Sequence, residues 1–450
     1  MGLSGPGTQR PRVLAVLPGF IPSTLIHIVK PLAALHRRGW IDADIMLEHS
    51  VFARHLERAD VVVFCRNTEP AFGWILDFAL ARCKPVIYDL DDNFFEIPLT
   101  SDVARYHRAP ERLQQLTRYL SHASLVRVYS EALQERVSQL NTGAVVVNGP
   151  VDWSLIPSRP SRRNTNTVRV VYPTSRIVDE LAGLFLDDIE RLLAIYAGRL
   201  EIFFWGYHPR ELCGHPAVRF LPYIAKYDQF FRQFASSGFD VGLAPLRNDI
   251  FHRSKSDLKF REYAACGIVG VYSNVGAYAR VVEDGVTGLL VSNRPGAWFD
   301  AVGRLIEDLH LRQAIEERAR EYARSRYDLR VFQDEWWGHL CGVMGNDRVT
   351  GARRSPEGDH LPASTCAGRT ANLHSIRRWS AAKLVWAYWG GRPYRFIHAL
   401  RRDGLPHALD RVRWYRHNLS MLFQVRMGLR FRSALRTVLP RAVASRPQKR

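Results

Sequence analysis

Short apolar runs alternate with longer stretches of helical period along this chain, and the alternation happens twice. In the first half RVLAVL (12–17), ADIML (43–47), VVVFC (61–65), PVIYDL (85–90), LVRVYS (125–130) and AVVVNG (144–149) predict strands, with helical patterns at 24–38, 71–82, 109–121 and 131–140 between them. The polar segment PSRPSRRNTNT (157–167) then interrupts the pattern and reads as a linker. After it, strands are predicted at 168–173, 200–206, 218–222, 241–246, 268–273 and 288–291, with helices near 180–197, 226–236, 257–266, 277–283 and 297–325. Strands spaced by helices predict an α/β protein with parallel sheets flanked by helices. Two successive doubly wound units place a cleft between them, and such sheets bind ligands beyond the carboxyl ends of their strands. The expected division is 10–152, a linker 153–167, a second unit 168–341, a polar linker 342–372 and a helical tail 373–450.

Composition changes this picture in one place. The 450-residue chain carries a net charge of +19, but residues 351–450 hold 21 Lys and Arg against 4 Asp and Glu, which leaves the first 350 near neutral. A near-neutral body with a basic tail behaves as two physical objects. In the tail, SIRRWSAAKLVWAYWGGRPYRFIHALRRDGL interleaves Trp and Tyr with Arg at helical spacing. That suits an anionic membrane surface. Docking on a partner protein and nucleic-acid binding are competing readings, the last weighted least. The six scattered cysteines show no metal-ligand spacing and fit reduced thiols. No run of about 18 apolar residues predicts a transmembrane helix, and no leader is evident at the N-terminus. The expected location is cytoplasmic, peripheral at the inner face of the membrane.

Candidate chemistry concentrates in SKSDLKFREYAACG (254–267). Lysine occurs seven times in the chain, and two of the seven are Lys255 and Lys259. Steps of four and three residues put Lys255, Lys259 and Glu262 on one helical face. A carboxylate can accept two hydrogen bonds at once from the vicinal hydroxyls of a ribose, and a lysine nearer the helix start could meet a diphosphate, which makes these three residues candidates for a nucleotide site. Ala264, Ala265 and Gly267 are expected to let the helix approach the next strand closely. The following SNVGAYARVV has a strand ending at Ser273, then Asn274 and Val275, a turn at Gly276, and a helix start offering free N–H groups to phosphate oxygens.

The run EYAACGIVGVYSNVGAYARVVEDGVTGLLV (262–291) resembles the nucleotide-sugar-binding core of GT-B glycosyltransferases of the large retaining group called family 4. VVVNGPVDW (145–153) and STLIHIVKPLAALHRRG (23–39) are similar to that family's interdomain crossing and first helix. The resemblance spans about residues 10–340 and is specific in 240–291. It implies a GT-B fold of two Rossmann-like domains, and a nucleotide-sugar donor with no cofactor and no tightly bound metal. It implies that Glu262 binds the donor ribose, with Ser273 to Ala277 near phosphates or sugar. It also implies retaining transfer by front-face attack to a glycan or lipid-linked acceptor in surface-polysaccharide synthesis. Departures are specific. Ser254 stands where the family has the first glutamate of E-x7-E, and Arg280 stands where an acid is usual. The family's Arg–Lys pair after the first strand of this domain is represented at most by Arg176, so Lys255 and Lys259 are candidates to replace it.

PVIYDLDDNFFEIP (85–98) places Asp89, Asp91 and Asp92 at the end of a strand. Three carboxylates there suit Mg²⁺ or Mn²⁺. With a nucleotide site already in the second unit, the preferred reading is that Asp91 or Asp92 handles the acceptor hydroxyl, with His27 a second acceptor-side candidate. Two further alternatives stay open: a non-catalytic glycan- or nucleotide-binding scaffold, suggested by Ser254, and nucleic-acid binding through the tail.

Overall fold

The computed structural model of the protein describes residues 10–101, 103–157, 166–175 and 180–345, together with 421, 424 and 425. Arg176, the core of the expected 153–167 linker, and nearly all of the 342–372 linker and 373–450 tail lie outside the described residues. Two compact units divide the chain. One comprises Met1–Asp89, Ala109–Val126 and Glu335–Arg450, the other Leu90–Arg108 and Arg127–Asp334.

Each half of the chain builds a six-stranded sheet. The first holds β1 (Arg12–Leu17), β2 (Asp42–Leu47), β3 (Val61–Cys65), β4 (Val86–Leu90), β5 (Leu125–Val128) and β6 (Ala144–Val146) in the order β2-β1-β3-β4-β5-β6. The second holds β7 (Val168–Pro173), β8 (Leu200–Trp205), β9 (Val218–Leu221), β10 (Val241–Ala244), β11 (Val269–Ser273) and β12 (Leu289–Val291) in the order β12-β11-β10-β7-β8-β9. The pairing is parallel, in register from Val13 opposite Val61 and from Val241 opposite Val269. Both orders are doubly wound, the second Rossmann-like and the first flavodoxin-like. Their direction reverses between β1 and β3 and between β7 and β10, where such sheets open a crevice at the strand carboxyl ends.

The strands read as apolar runs because both faces are covered: all five residues of β3 and of β4 are buried. In the second sheet Val170, Ile202, Val241 and Val271 join one core with Leu192, Trp298, Val302 and Leu305 from the covering helices Leu186–Ile195 and Ala297–Glu307. Asp188 adds a polar tie, its carboxylate accepting from the N–H groups of Gly296, Trp298 and Phe299 at the start of the second of these helices.

Two expected helices differ in detail. The 297–325 pattern is two helices, Ala297–Glu307 and Leu309–Arg326. Asp308 takes an extended conformation between them, and its side chain caps the second through Leu311 N–H at 2.8 Å. The 24–38 pattern contains a π-helical stretch, Leu25–Val29, before the α-helix Lys30–Arg38. Pro31 is the cause: it has no N–H for the carbonyl of His27, and the indole of Trp336 takes that carbonyl instead at 2.9 Å.

Ala264 and Ala265 are buried on the Leu258–Cys266 helix, and its close approach to the sheet also needs a small residue on the strand side. Gly267 is a left-handed cap (φ 72°), whereas Gly242 in β10 lies under Tyr263, and a Cβ there would sit 2.6 Å from the ring. The Tyr263 hydroxyl is fixed on the Leu243 carbonyl at 2.7 Å, so the ring has nowhere to turn. Gly242→Ala is expected to cost about 1–3 kcal/mol by overpacking, read as a lowered unfolding midpoint. A wild-type midpoint would show that the ring yields.

Candidate active site

The second unit gathers most of the residues singled out above. Glu262 lies in the Leu258–Cys266 helix, 3% exposed, with its two carboxylate oxygens separately engaged. The Tyr227 hydroxyl donates to Oε1 at 3.1 Å, and Lys259 Nζ donates to Oε2 at 3.3 Å from one turn earlier. Burial, and after it the Glu262 charge, pushes the Tyr227 phenol well above its ordinary pKa, so it remains a donor. The same two causes raise the Cys266 thiol, which stays protonated and inert. A carboxylate offers about four lone-pair sites, so two internal donors leave capacity for ribose hydroxyls.

Lys255 is not on that helix, contrary to the spacing argument. The Ile250–Arg253 helix ends at Ser254, whose hydroxyl donates back to the Ile250 carbonyl at 2.8 Å, and the next helix begins only at Leu258. The turn between them is tied to other parts of the same unit. Lys255 Nζ meets Asp92 Oδ1 at 2.5 Å, Asn93 Nδ2 donates to Ser254 Oγ at 3.3 Å, and Ser130 Oγ donates to the Ser254 carbonyl at 2.7 Å. Ser254 is 1% exposed, so its hydroxyl serves the fold where the resembled family has a glutamate.

Below Glu262 the helix is locked by a buried charge pair. The Arg261 guanidinium, fully buried, donates from Nε to Asp257 at 2.7 Å and reaches the Pro150 carbonyl at 3.4 Å. The Tyr327 hydroxyl donates to the other Asp257 oxygen at 2.7 Å. Burial opposes the Arg261 charge, but Asp257 together with the Tyr327 and Tyr227 hydroxyls more than offsets it and the pKa moves up, so the arginine stays charged. The NGP stretch of the first-half motif has a physical reason here: a Cβ on Gly149 would lie 1.9 Å from Arg261 Nη1.

At the carboxyl ends of β10, β11 and β12 the buried Ser273 links three strand ends. Its hydroxyl accepts from Leu246 N–H at 2.9 Å and donates to Asn293 Oδ1 at 2.8 Å, while Asn293 Nδ2 holds the Leu246 carbonyl at 2.7 Å. Asn274 N–H goes to the Val291 carbonyl, and Val275 precedes the short helix Gly276–Val281. Gly276 has φ 58°, and a Cβ there would lie 2.7 Å from the Arg253 carbonyl. The two motifs thus abut, backbone against backbone.

The remaining candidates are placed differently. His27 belongs to the other unit, on the π-helical stretch. It is buried, with Nδ1 3.7 Å from Asp89 Oδ1. Asp89 is fully buried and also faces the Cys65 thiol at 3.8 Å. Asp91 is half-buried in the segment leading to Asp92. Asp92 turns to Lys255, and among the described residues no three or more His, Cys, Asp or Glu are grouped to hold a metal ion. Sequence reasoning missed Tyr227, Asn93, Ser130 and Asn293, which reach the site from distant positions. The Asp257–Arg261 pair was readable as an acid four residues before a base.

Residues 171–308 match the family described as Glycosyl transferases group 1. Over 65 residues the chain is 38% identical to a D-inositol 3-phosphate glycosyltransferase of Paenarthrobacter aurescens, a stretch covering 14% of this chain and 16% of that protein. Among solved structures the chain is similar to HepE of Anabaena in complex with UDP and glucose, with a TM-score of 0.54 and 16% identity over 73% of this chain and 99% of that one. It is also similar to a glycosyltransferase of Rickettsia africae (TM-score 0.55, 13% identity, 75% and 99% covered). Sucrose-phosphate synthase of Thermosynechococcus elongatus gives a TM-score of 0.55 at 14% identity, with 74% and 98% covered. The chain therefore has the GT-B glycosyltransferase fold. The likeness to the group 1 glycosyltransferases lies in residues 171–308 of its second half.

Proposed function

We propose that the protein transfers a sugar from a nucleoside diphosphate sugar to a hydroxyl of a glycan or lipid-linked acceptor, without a further cofactor or bound metal. The observation that carries this reading is the buried Glu262 carboxylate, which accepts hydrogen bonds from Tyr227 on one oxygen and Lys259 on the other, with Lys255 seven positions earlier in the chain. Such a carboxylate takes the ribose, and the two lysines offset the charge of the departing diphosphate. In the retaining reaction the acceptor oxygen bonds to the anomeric carbon as that carbon's bond to the diphosphate oxygen breaks, and the acceptor proton passes to the diphosphate. Asp91, Asp92 and His27 are the acceptor-side candidates. The relatives support the reading in kind: one is a glycosyltransferase acting on an inositol phosphate by its name, and HepE was solved with UDP-glucose. A role in surface-polysaccharide synthesis at the inner membrane face belongs to the same proposal, with the basic residues 373–450 as the membrane contact. Among the described residues no helix is long and apolar enough to cross a membrane.

Thermal shift against UDP, GDP and dTDP tests the donor half, because a ligand bound only by the folded state raises the midpoint by mass action. One of the three is expected to raise it by several degrees at millimolar concentration. A flat response to all three removes the nucleotide. Binding without donor hydrolysis or transfer would instead identify a scaffold.

A further inference from the structure

Both lysines of the proposed donor site are already held by carboxylates, and they are held differently. Lys259 pairs with Glu262 within its own helix, whereas Lys255 pairs with Asp92, 163 positions away in sequence. Lys255 Nζ also sits 4.3 Å above the Phe251 ring, so its stem is directed by packing as well as charge. The two side chains of the distant pair are 24% and 21% exposed, which leaves them open to water and to an incoming anion. Their backbones do not depend on the pair. The neighbouring residue Asn93 is tied to Ser254 by its own hydrogen bond, and Ser254 is tied again by Ser130. The ammonium can therefore exchange partners by side-chain rotation while the surrounding turn stays in place. A diphosphate, with two or more negative charges and several acceptor oxygens, competes with one carboxylate for that ammonium and wins on charge.

We propose that Asp92 is a resident competitor for Lys255, displaced by the donor diphosphate, so that Asp92 sets donor affinity and is released toward the acceptor only once the donor is in place. This rests on the reading of Lys255 as a diphosphate-binding residue. It goes beyond that reading by making the Asp92–Lys255 pair a coupling between donor and acceptor steps. Asp92 then acts on the donor through Lys255, as a positioning residue, and its removal improves binding where loss of a merely structural contact would weaken it.

Titration calorimetry of the full chain with UDP, GDP and dTDP reads the effect. Asp92→Asn, and Asp92→Ser should the first fail to fold, is expected to bind the responding nucleotide about fivefold more tightly. That factor corresponds to the upper end of what a partly exposed ion pair contributes. Lys255→Met is expected to bind about tenfold more weakly, and in its background the Asp92 substitution is expected to change nothing. Affinity in the Asp92 variants equal to or below wild type, with an unchanged unfolding midpoint, overturns the inference. So does a gain that persists without Lys255. In both cases weakened binding in Lys255→Met leaves the donor reading standing. If the wild-type chain binds none of the three nucleotides, the donor reading falls and the inference with it.

Discussion

Glu262→Gln is expected to lower kcat/KM for the nucleotide sugar by about two to three orders of magnitude with the fold retained. The substitution keeps shape and an acceptor oxygen for Tyr227 but removes the charge, and hydrogen bonds to a charged partner contribute about 1.5–3 kcal/mol each. Losing that increment on two ribose hydroxyls gives about 3–4 kcal/mol after discounting for what the amide still accepts, and each 1.36 kcal/mol is tenfold. The fold survives because Lys259, 27% exposed, can turn to water. Steady-state donor kinetics with a melting curve on the same sample make the comparison. Near-wild-type kcat/KM in a folded Glu262→Gln protein would remove this carboxylate from the reaction.

Asp257→Ala carries the largest expected effect on stability. It leaves the Arg261 guanidinium, 0% exposed, without its counter-ion, and Tyr327 without an acceptor. Breaking a buried pair from one side costs about 3–5 kcal/mol, because the surviving charge stays desolvated. The Arg261 Nη2 atom already lacks a hydrogen-bond partner among the described residues, so no reserve contact takes up the loss. Urea unfolding measures the change. Asp257→Ala combined with Arg261→Met is expected to be milder than the single change, since no buried charge remains. A single substitution costing less than about 1 kcal/mol would mean that water reaches the arginine. Because Arg261 precedes Glu262 directly, the damage also reaches the Glu262 carboxylate, so catalytic loss in Asp257→Ala without loss of stability is not expected.

Much of the fold was legible in the sequence. Apolar runs such as VVVFC and VRVVYP fall on β3 and β7 with the same bounds, since a strand covered on both faces leaves its composition in the chain. Local rules misled where one residue had two uses. Asp308 was absorbed into a long helical pattern, and its capping role shows only once the chain turns at it. Pro31 lies inside the 24–38 helical pattern, and its missing N–H reshapes the preceding turn and brings in Trp336. Lys255 fitted a helical face by arithmetic, yet Ser254 ends one helix before it.

What the sequence determined by itself is therefore much of what neighbours along the chain set: the strands among the described residues, most of the helices between them, the lysine–carboxylate spacing from Lys259 to Glu262, and the glycine turn at 276. Tertiary structure alone decided the pairings of residues far apart in number. Tyr227 comes to Glu262 from 35 positions away, Tyr327 to Asp257 from 70, and Asp92 to Lys255 from 163. Local propensity carries no term for such contacts. They form because parallel sheets bring the carboxyl ends of successive strands to one edge, and only there do charges scattered through the chain find their partners.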